Sequence, residues 1–204
     1  MLIKTLPVGQ LETNCYVVTD EDSLDCAVID PGDESGTILD YLEDNKLHCR
    51  AVLLTHAHFD HVGAANALLE ATGARLYMCE KELELVKGGA SGRFTVPEDV
   101  KYYRDGDTVE VGGLRFEVME TPGHTPGGVT LRCGEALFTG DTLFRGSCGR
   151  TDFAGGDMRQ ELRSLKRIAG LPGDYEVYPG HAESSMLSIE REHNPYVRHA
   201  LEKM

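Results

Sequence analysis

The sequence predicts a layered α/β protein in which sheets pack face to face with helices outside. Three observations carry that expectation. Short β-rich runs and helical stretches are interspersed in each half of the chain, the pattern that layers sheets against helices. The 23 glycines among 204 residues imply many tight turns, which suit a loop-rich enzyme better than a helical bundle. Several apolar strands stop abruptly at Gly or Pro-Gly turns, so that polar residues collect where strands end.

The N-terminal part reads as a meander of strands, Leu2–Leu6, Cys15–Thr19 and Cys26–Ile29, separated by Gly, Asn and Asp. Ser35 is expected to cap a helix carrying Ile38, Leu39 and Leu42 on one face. A buried strand over Ala51–Leu54 follows, then a polar loop, then a helix over about Val62–Thr72 stopped by Gly73. Arg75–Met78 reads as a strand and Lys81–Val86 as a short helix, while Gly88, Gly89, Gly92 and Pro97 mark a loop within residues 87–104. Strands come next near Thr108–Val111, Leu114–Glu120, Gly128–Arg132 and Ala136–Thr139. Asp157 with Gln160 looks like a capping pair for a helix with Leu162, Leu165 and Ile168 on one side. A strand at Glu176–Tyr178 precedes two final helices, the second opened by Asn194 as cap and Pro195 in its first turn. No low-complexity linker, charge block or short repeat interrupts the chain, so residues 1–204 read as a single domain.

The composition, 41% hydrophobic and 26% charged, is that of an ordinary globular protein. A net charge of -14 repels phosphate backbones and argues against a nucleic-acid partner. The first residues contain no apolar stretch long enough for a signal peptide or membrane span. Six well-separated cysteines without a C-x-x-C pair then read as free thiols in a cytoplasmic protein.

The chemistry is concentrated in Thr55-His56-Ala57-His58-Phe59-Asp60-His61, directly after the apolar run AVLL. Imidazole and carboxylate are ligands that zinc, iron and manganese accept. In an irregular loop, His56 and His58 can point to one metal while Asp60 and His61 turn toward a second. Three more strand ends repeat a pattern of apolar strand, glycine turn and potential ligand: FEVMETPG-His124, ALFTG-Asp141 and YEVYPG-His181. Two metals sharing a bridging carboxylate need about seven ligands, and this set contains seven.

T-H-A-H-F-D-H, T-P-G-H-T-P-G, F-T-G-D-T-L-F and P-G-H together resemble the metallo-β-lactamase superfamily. Within it the chain is similar to the glyoxalase II-like (hydroxyacylglutathione hydrolase-like) branch, which the stretch Gly146–Asp157 and the late N-P-Y (Asn194–Tyr196) also match. The resemblance runs from the first strands to about residue 198. It implies an αββα four-layer sandwich with His56, His58 and His124 on one metal. Asp60, His61 and His181 are then on a second, and Asp141 bridges both. Glyoxalase II proper has a further C-terminal helical segment that helps to hold glutathione, whereas this chain is expected to have no separate substrate domain. Where that family uses a basic residue to meet the glutathione carboxylate stands Arg150, whose other reading is an ion pair with Asp152.

The implied function is hydrolysis of a small acyl thioester, with hydroxide generated by two divalent metals, zinc first and iron or manganese as alternatives. His58, Asp60 and Asp141 are the residues nearest the chemistry. Asp60 either orients the attacking solvent and takes its proton, or serves as a ligand alone. Thr55, Thr121 and Thr139 precede ligand turns, placed to hydrogen-bond ligand groups or to pack at strand ends. Cys148 has no identifiable base beside it and reads as a packing residue. His48, His193 and His199 read as surface residues, and the other five cysteines as core. The competing functions are an iron-dependent persulfide dioxygenase, with a similar C-G-R-T-D-F stretch, and a lactonase-type hydrolase. The expected partner is a small molecule, with no nucleic acid and no membrane.

Overall fold

The structure is a computed structural model that describes residues 1–203. Its first six-stranded sheet has the order β1 (Leu2–Val8), β2 (Thr13–Thr19), β3 (Asp25–Ile29), β4 (His48–Leu53), β5 (Arg75–Cys79) and β6 (Lys101–Tyr103). The chain then builds β7 (Thr108–Val111), β8 (Leu114–Glu120), β9 (Val129–Cys133) and β10 (Ala136–Gly140). A small hairpin, β11 (Leu143–Phe144) and β12 (Ser147–Cys148), precedes β13 (Glu176–Pro179) and β14 (Ser185–Met186). The second six-stranded sheet has the order β14-β13-β10-β9-β8-β7. Helices α1 (Ser35–Asp44), α2 (Phe59–Val62), α3 (Ala65–Thr72) and α4 (Leu83–Lys87) belong to the first half. Helices α5 (Met158–Ala169), α6 (Leu187–His193) and α7 (Pro195–Lys203) belong to the second. No helix among the described residues is long and apolar enough to cross a membrane.

Four layers require three separate cores, and three are present. Alternation along the strands distributes the side chains among them. On β2, Cys15 and Val17 face α1 and α3, where they meet Ile38, Leu42 and Leu68. Their neighbours Tyr16 and Val18 face the other sheet and pack with Phe116, Leu131 and Phe138. The outer face of the second sheet, through Leu137 and Val177, lies on Leu165, Ile168, Leu187 and Val197 of α5, α6 and α7. Strand β2 is consequently buried along its whole length, its polar Thr13, Asn14 and Thr19 included. Phe116 and Phe138 are fully buried between the sheets, so replacing either by Ala would cost about 3–5 kcal/mol.

Local boundaries differ from the sequence reading in instructive ways. Glu34, not Ser35, occupies the cap position of α1, in a left-handed conformation (φ 52°) and without a side-chain cap bond. Asp157 does cap α5, accepting from the N–H groups of Arg159 and Gln160, and Asn194 accepts from Tyr196 and Val197 at the start of α7. The single helix expected over Val62–Thr72 is two, α2 and α3. The break follows from packing: a Cβ on Gly63 would stand 2.2 Å from the Gly32 carbonyl oxygen, and Ala64 N–H donates to Pro31 rather than into a helix. Strand β6, the β11–β12 hairpin and β14 lie where no strand was expected.

Candidate metal centre

All the strands that carry a predicted ligand point the same way. β3 runs parallel to β4, β10 runs parallel to β13, and two antiparallel steps relate β8 to β10. Their C-terminal ends therefore meet at one edge of the sandwich. The first sheet delivers His56, His58, Asp60 and His61 from the loop after β4 and from α2, and the second delivers His124, Asp141 and His181. The edges are joined directly: Asn14 N–H donates to Gly180 (2.8 Å), and Val129 N–H donates to Thr55 (2.9 Å).

The seven side chains form two triads around one carboxylate. Donor atoms of His56, His58 and His124 all lie within 4.8 Å of one another, and so do those of Asp60, His61 and His181. His58 Nδ1 lies 2.9 Å from His124 Nε2, a distance at which a proton or a cation must sit between two nitrogen lone pairs. Asp141 stands between the triads. Its Oδ1 is 3.4 Å from His61 Nε2, and its Oδ2 is 3.4 Å from His124 Nε2 and 3.6 Å from His181 Nε2.

Hydrogen bonds at the back of the rings select the nitrogen that faces inward. Carbonyl oxygens only accept, so His124 Nδ1 donates to Arg150 O (2.7 Å) and His181 Nδ1 to Leu11 O (3.2 Å). His61 Nδ1 donates to Asp30 Oδ2 at 3.0 Å. In each ring the bare Nε2 is left for the centre. His56 Nε2, His61 Nε2 and Asp141 Oδ1 are buried without a hydrogen-bond partner. Leaving three such atoms orphaned in one spot costs about 1–3 kcal/mol each, and divalent cations at the two triads would satisfy them. The donor set fits a metal.

The electrostatics agree. Burial, reinforced by the neighbouring imidazoles, drives His56 well below the usual histidine range and His58 down to about 4. Both are neutral, as a ligand must be. Burial raises Asp60 and Asp141, yet the hydrogen bond from His181 and the charge of His61 outweigh it and hold both carboxyls below their ordinary value. Burial lowers both His61 and His181, but Asp141 and Asp30 raise His61 well above the usual range, and Asp60 and Asp141 leave His181 raised. Those two rings hold protons that metal binding displaces.

Three buried carboxylates that support the centre were missed in the sequence. Asp30 accepts from Thr55 N (2.7 Å), Thr55 Oγ1 (2.5 Å) and His61 Nδ1, so its oxygens are fully used. Glu82 accepts from Ala57 N and Gly127 N, both at 2.7 Å, and thereby ties the His56–His58 loop to the turn beyond His124. Glu161 accepts from His124 N at 2.9 Å. Asp30 carries a visible signal, since CAVI-Asp30-Pro-Gly repeats the pattern of strand, polar residue and turn. Glu82 and Glu161 sit in helical segments with no local signal.

Of the three threonines, Thr55 touches ligand groups, through Asp30 and a 3.1 Å contact with His56 Nδ1. Thr121 and Thr139 do not: they bond Thr130, Thr142 and the Leu143 carbonyl, and so hold turns together. Cys148 packs beside the third core with its thiol pushed up by burial to about 12, unsuited to nucleophilic attack. The other five cysteines are buried, and His48, His193 and His199 are exposed.

An open cleft of about 490 Å³ lies over the centre, with Leu11, Phe59, Phe144 and Phe153 as apolar walls and Arg150 at its rim. Arg150 makes the ion pair considered above, donating from Nε and Nη2 to Asp152 at 2.7 Å each, and stacks over the Phe153 ring at 4.1 Å.

Comparison with known proteins agrees with this geometry. Hydroxyacylglutathione hydrolase GloC of Haemophilus influenzae is 32% identical over 209 residues, covering 97% of this chain and 98% of that protein. Among solved structures, TTHA1623 in a di-iron-bound form superposes with a TM-score of 0.84 at 36% identity, covering 95% of this chain and 99% of that one. ETHE1 from Myxococcus xanthus superposes with a TM-score of 0.83 at 30% identity, covering 99% and 91%. Residues 8–181 match the model of the metallo-beta-lactamase superfamily, and the chain belongs to that family.

Proposed function

We propose that this protein is a hydrolase with a dinuclear metal site that cleaves small acyl thioesters. In this reading His56, His58 and His124 hold one divalent ion, Asp60, His61 and His181 hold a second, and Asp141 bridges them. The observation that supports it most directly is the Asp141 carboxylate, set between two triads with a buried, unpartnered Oδ1. Bound there, two divalent ions supply Lewis acidity and lower the pKa of a shared water to roughly 7.

The chain's own residues do the rest. Asp60 is ionised, and its Oδ2 is held by the Thr13 hydroxyl (3.1 Å) and by His181 Nε2 (3.2 Å). It is fixed where it can orient solvent or receive a proton. His58 and Asp141 line the same cleft as Asp60, beside the position a scissile carbonyl would take. A thioester suits the site because a thiolate leaves without prior protonation. Arg150, on the rim, meets the polar thiol carrier. Zinc is the expected metal. The di-iron form of a similar protein supports iron as well. The similarity to GloC over nearly both full lengths supports a hydroxyacyl-thiol substrate. The reading is of one domain, in the cytoplasm, acting on a small molecule.

The test is metal content together with turnover. About two equivalents of zinc, iron or manganese per chain are expected, with hydrolysis of a hydroxyacyl-glutathione thioester lost on chelation and regained on reloading. Carefully prepared protein that binds no metal overturns the proposal. A second reading, an iron-dependent persulfide dioxygenase, draws on the Cys148–Phe153 stretch C-G-R-T-D-F. The complete second triad favours hydrolysis, and oxygen uptake with glutathione persulfide by iron-loaded protein would reverse that order. A lactone panel run in parallel tests the remaining lactonase reading.

A further inference from the structure

Beside the metal centre lies a second cleft, of about 630 Å³, that the reaction above leaves unused. Leu11, Phe59 and Asp60 line both clefts, so the two meet at the centre itself. Leu11 and Phe59 are 54% and 55% exposed, an unusual display of two large apolar side chains at the mouth of a polar site. Beyond them Val8, Ala67 and Phe94 give the lining an apolar share, set among glycines and the polar Gln10, Asn66 and Ser91. The wall is also rigid. Asn66 on α3 and Thr95 exchange two hydrogen bonds, at 2.7 and 2.9 Å, and Phe59 N–H donates to Ala90 at 2.9 Å.

Charge decides what such a cleft selects. Arg93 and Asp33, both exposed, bring opposite charges to its rim, and Asp60 is engaged at the centre by Thr13 and His181. No net positive charge recruits an ionic head group there. The cation of the first cleft, Arg150, lies on the other side of the centre. A thioester laid across Asp60 thus has the Arg150–Asp152 pair on one side for its thiol carrier and, on the other, a largely apolar, electrically balanced cleft for its acyl group.

We infer that the second cleft is an acyl subsite that extends the small-acyl range proposed above: among thioesters of one thiol, those whose acyl arm reaches into it are preferred over acetyl. This rests on the thioester reading above. Each methylene that enters the cleft lowers KM about fourfold until the cleft is filled.

The test uses metal-loaded protein and acetyl, butyryl and octanoyl thioesters of one small thiol. In the wild type kcat/KM should rise with chain length, through KM. Ala67→Trp fills the cleft from an exposed position on α3, and Gln10→Trp does so from the opposite wall. In either variant the octanoyl-to-acetyl ratio of kcat/KM should collapse toward one, with unfolding curves confirming the fold. Calorimetry with octanamide, which has the chain and no scissile bond, separates the subsite from the chemistry. Binding to the wild type that is lost in both tryptophan variants supports the subsite even if no thioester turns over, an outcome that would sink the thioester reading alone. A flat chain-length profile, octanamide binding unaffected by the tryptophans, or no octanamide binding at all overturns the inference.

Discussion

Asp30→Asn tests whether a side chain outside the proposed ligand set governs metal binding. The backbone accepts the change, because Asp30 is in the left-handed region (φ 49°), where Asn is well tolerated. The amide oxygen can still accept from Thr55 N, and the Thr55 hydroxyl can turn to accept from the new NH2. The His61 ring has no such freedom. Its Nδ1–H, 3.0 Å from Oδ2, would face a donor, so its proton must move to Nε2, which lies 3.4–3.5 Å from Asp141 and Asp60. That is the atom the centre needs bare. Loss of such a supporting carboxylate weakens metal binding about 10–100-fold, or about 1.4–2.8 kcal/mol. Competition with a chromogenic chelator resolves the two equivalents: one should weaken by that factor while the other stays within about threefold. If both equivalents bind as in the wild type, or both weaken alike, the role assigned to Asp30 is wrong.

Glu82→Ala orphans the buried N–H groups of Ala57 and Gly127, so denaturant melts should show a loss of about 2–6 kcal/mol, two donors at about 1–3 each. Gly180→Ala would set a Cβ 2.2 Å from Asp141 Oδ1 and 2.8 Å from His61 Cε1, so elemental analysis should find well under two metals per chain in a protein that still folds. Burial, aided by Asp141 and opposed by the hydrogen bond from His124, pushes the Glu161 carboxyl up to about 9 from an ordinary 4.5. A raised carboxyl contributes stability that is complete below about pH 4.5 and is lost as pH climbs toward 9. Glu161→Gln, neutral throughout, should gain on the wild type between pH 5 and 9 in urea melts of metal-free protein, and parallel pH profiles would contradict it.

What the sequence revealed follows the range over which each feature is determined. The seven inward-facing residues are legible because each is set by a few neighbours in the chain: an apolar strand, a turn, then a polar residue. Glu82 and Glu161 escape because an acidic residue in a helical segment normally faces solvent, and only packing across the molecule turns these two inward. Residues 87–104 read only as a loop for the same reason. Phe94 joins the core beneath α3, Asn66 clasps Thr95, and the Tyr103 hydroxyl donates to the Leu54 carbonyl, all bonds to distant segments. The Val62–Thr72 helix was misjudged because the approach of Gly32 to Gly63 brings together residues 31 positions apart.

Each triad draws two members from the first sheet and one from the second: His56 and His58 with His124, Asp60 and His61 with His181. In the proposed assignment, neither half of the sandwich holds three ligands of one ion by itself; the remaining candidate group, Asp30 with His56 and His61, lies in the first half alone. A metal at this edge is therefore a bolt across the seam, and its release and the parting of the sheets are one linked event. Metal-loaded protein should protect the amides of Asn14 and Val129, which cross that seam, from hydrogen exchange far more than amides at the opposite edge.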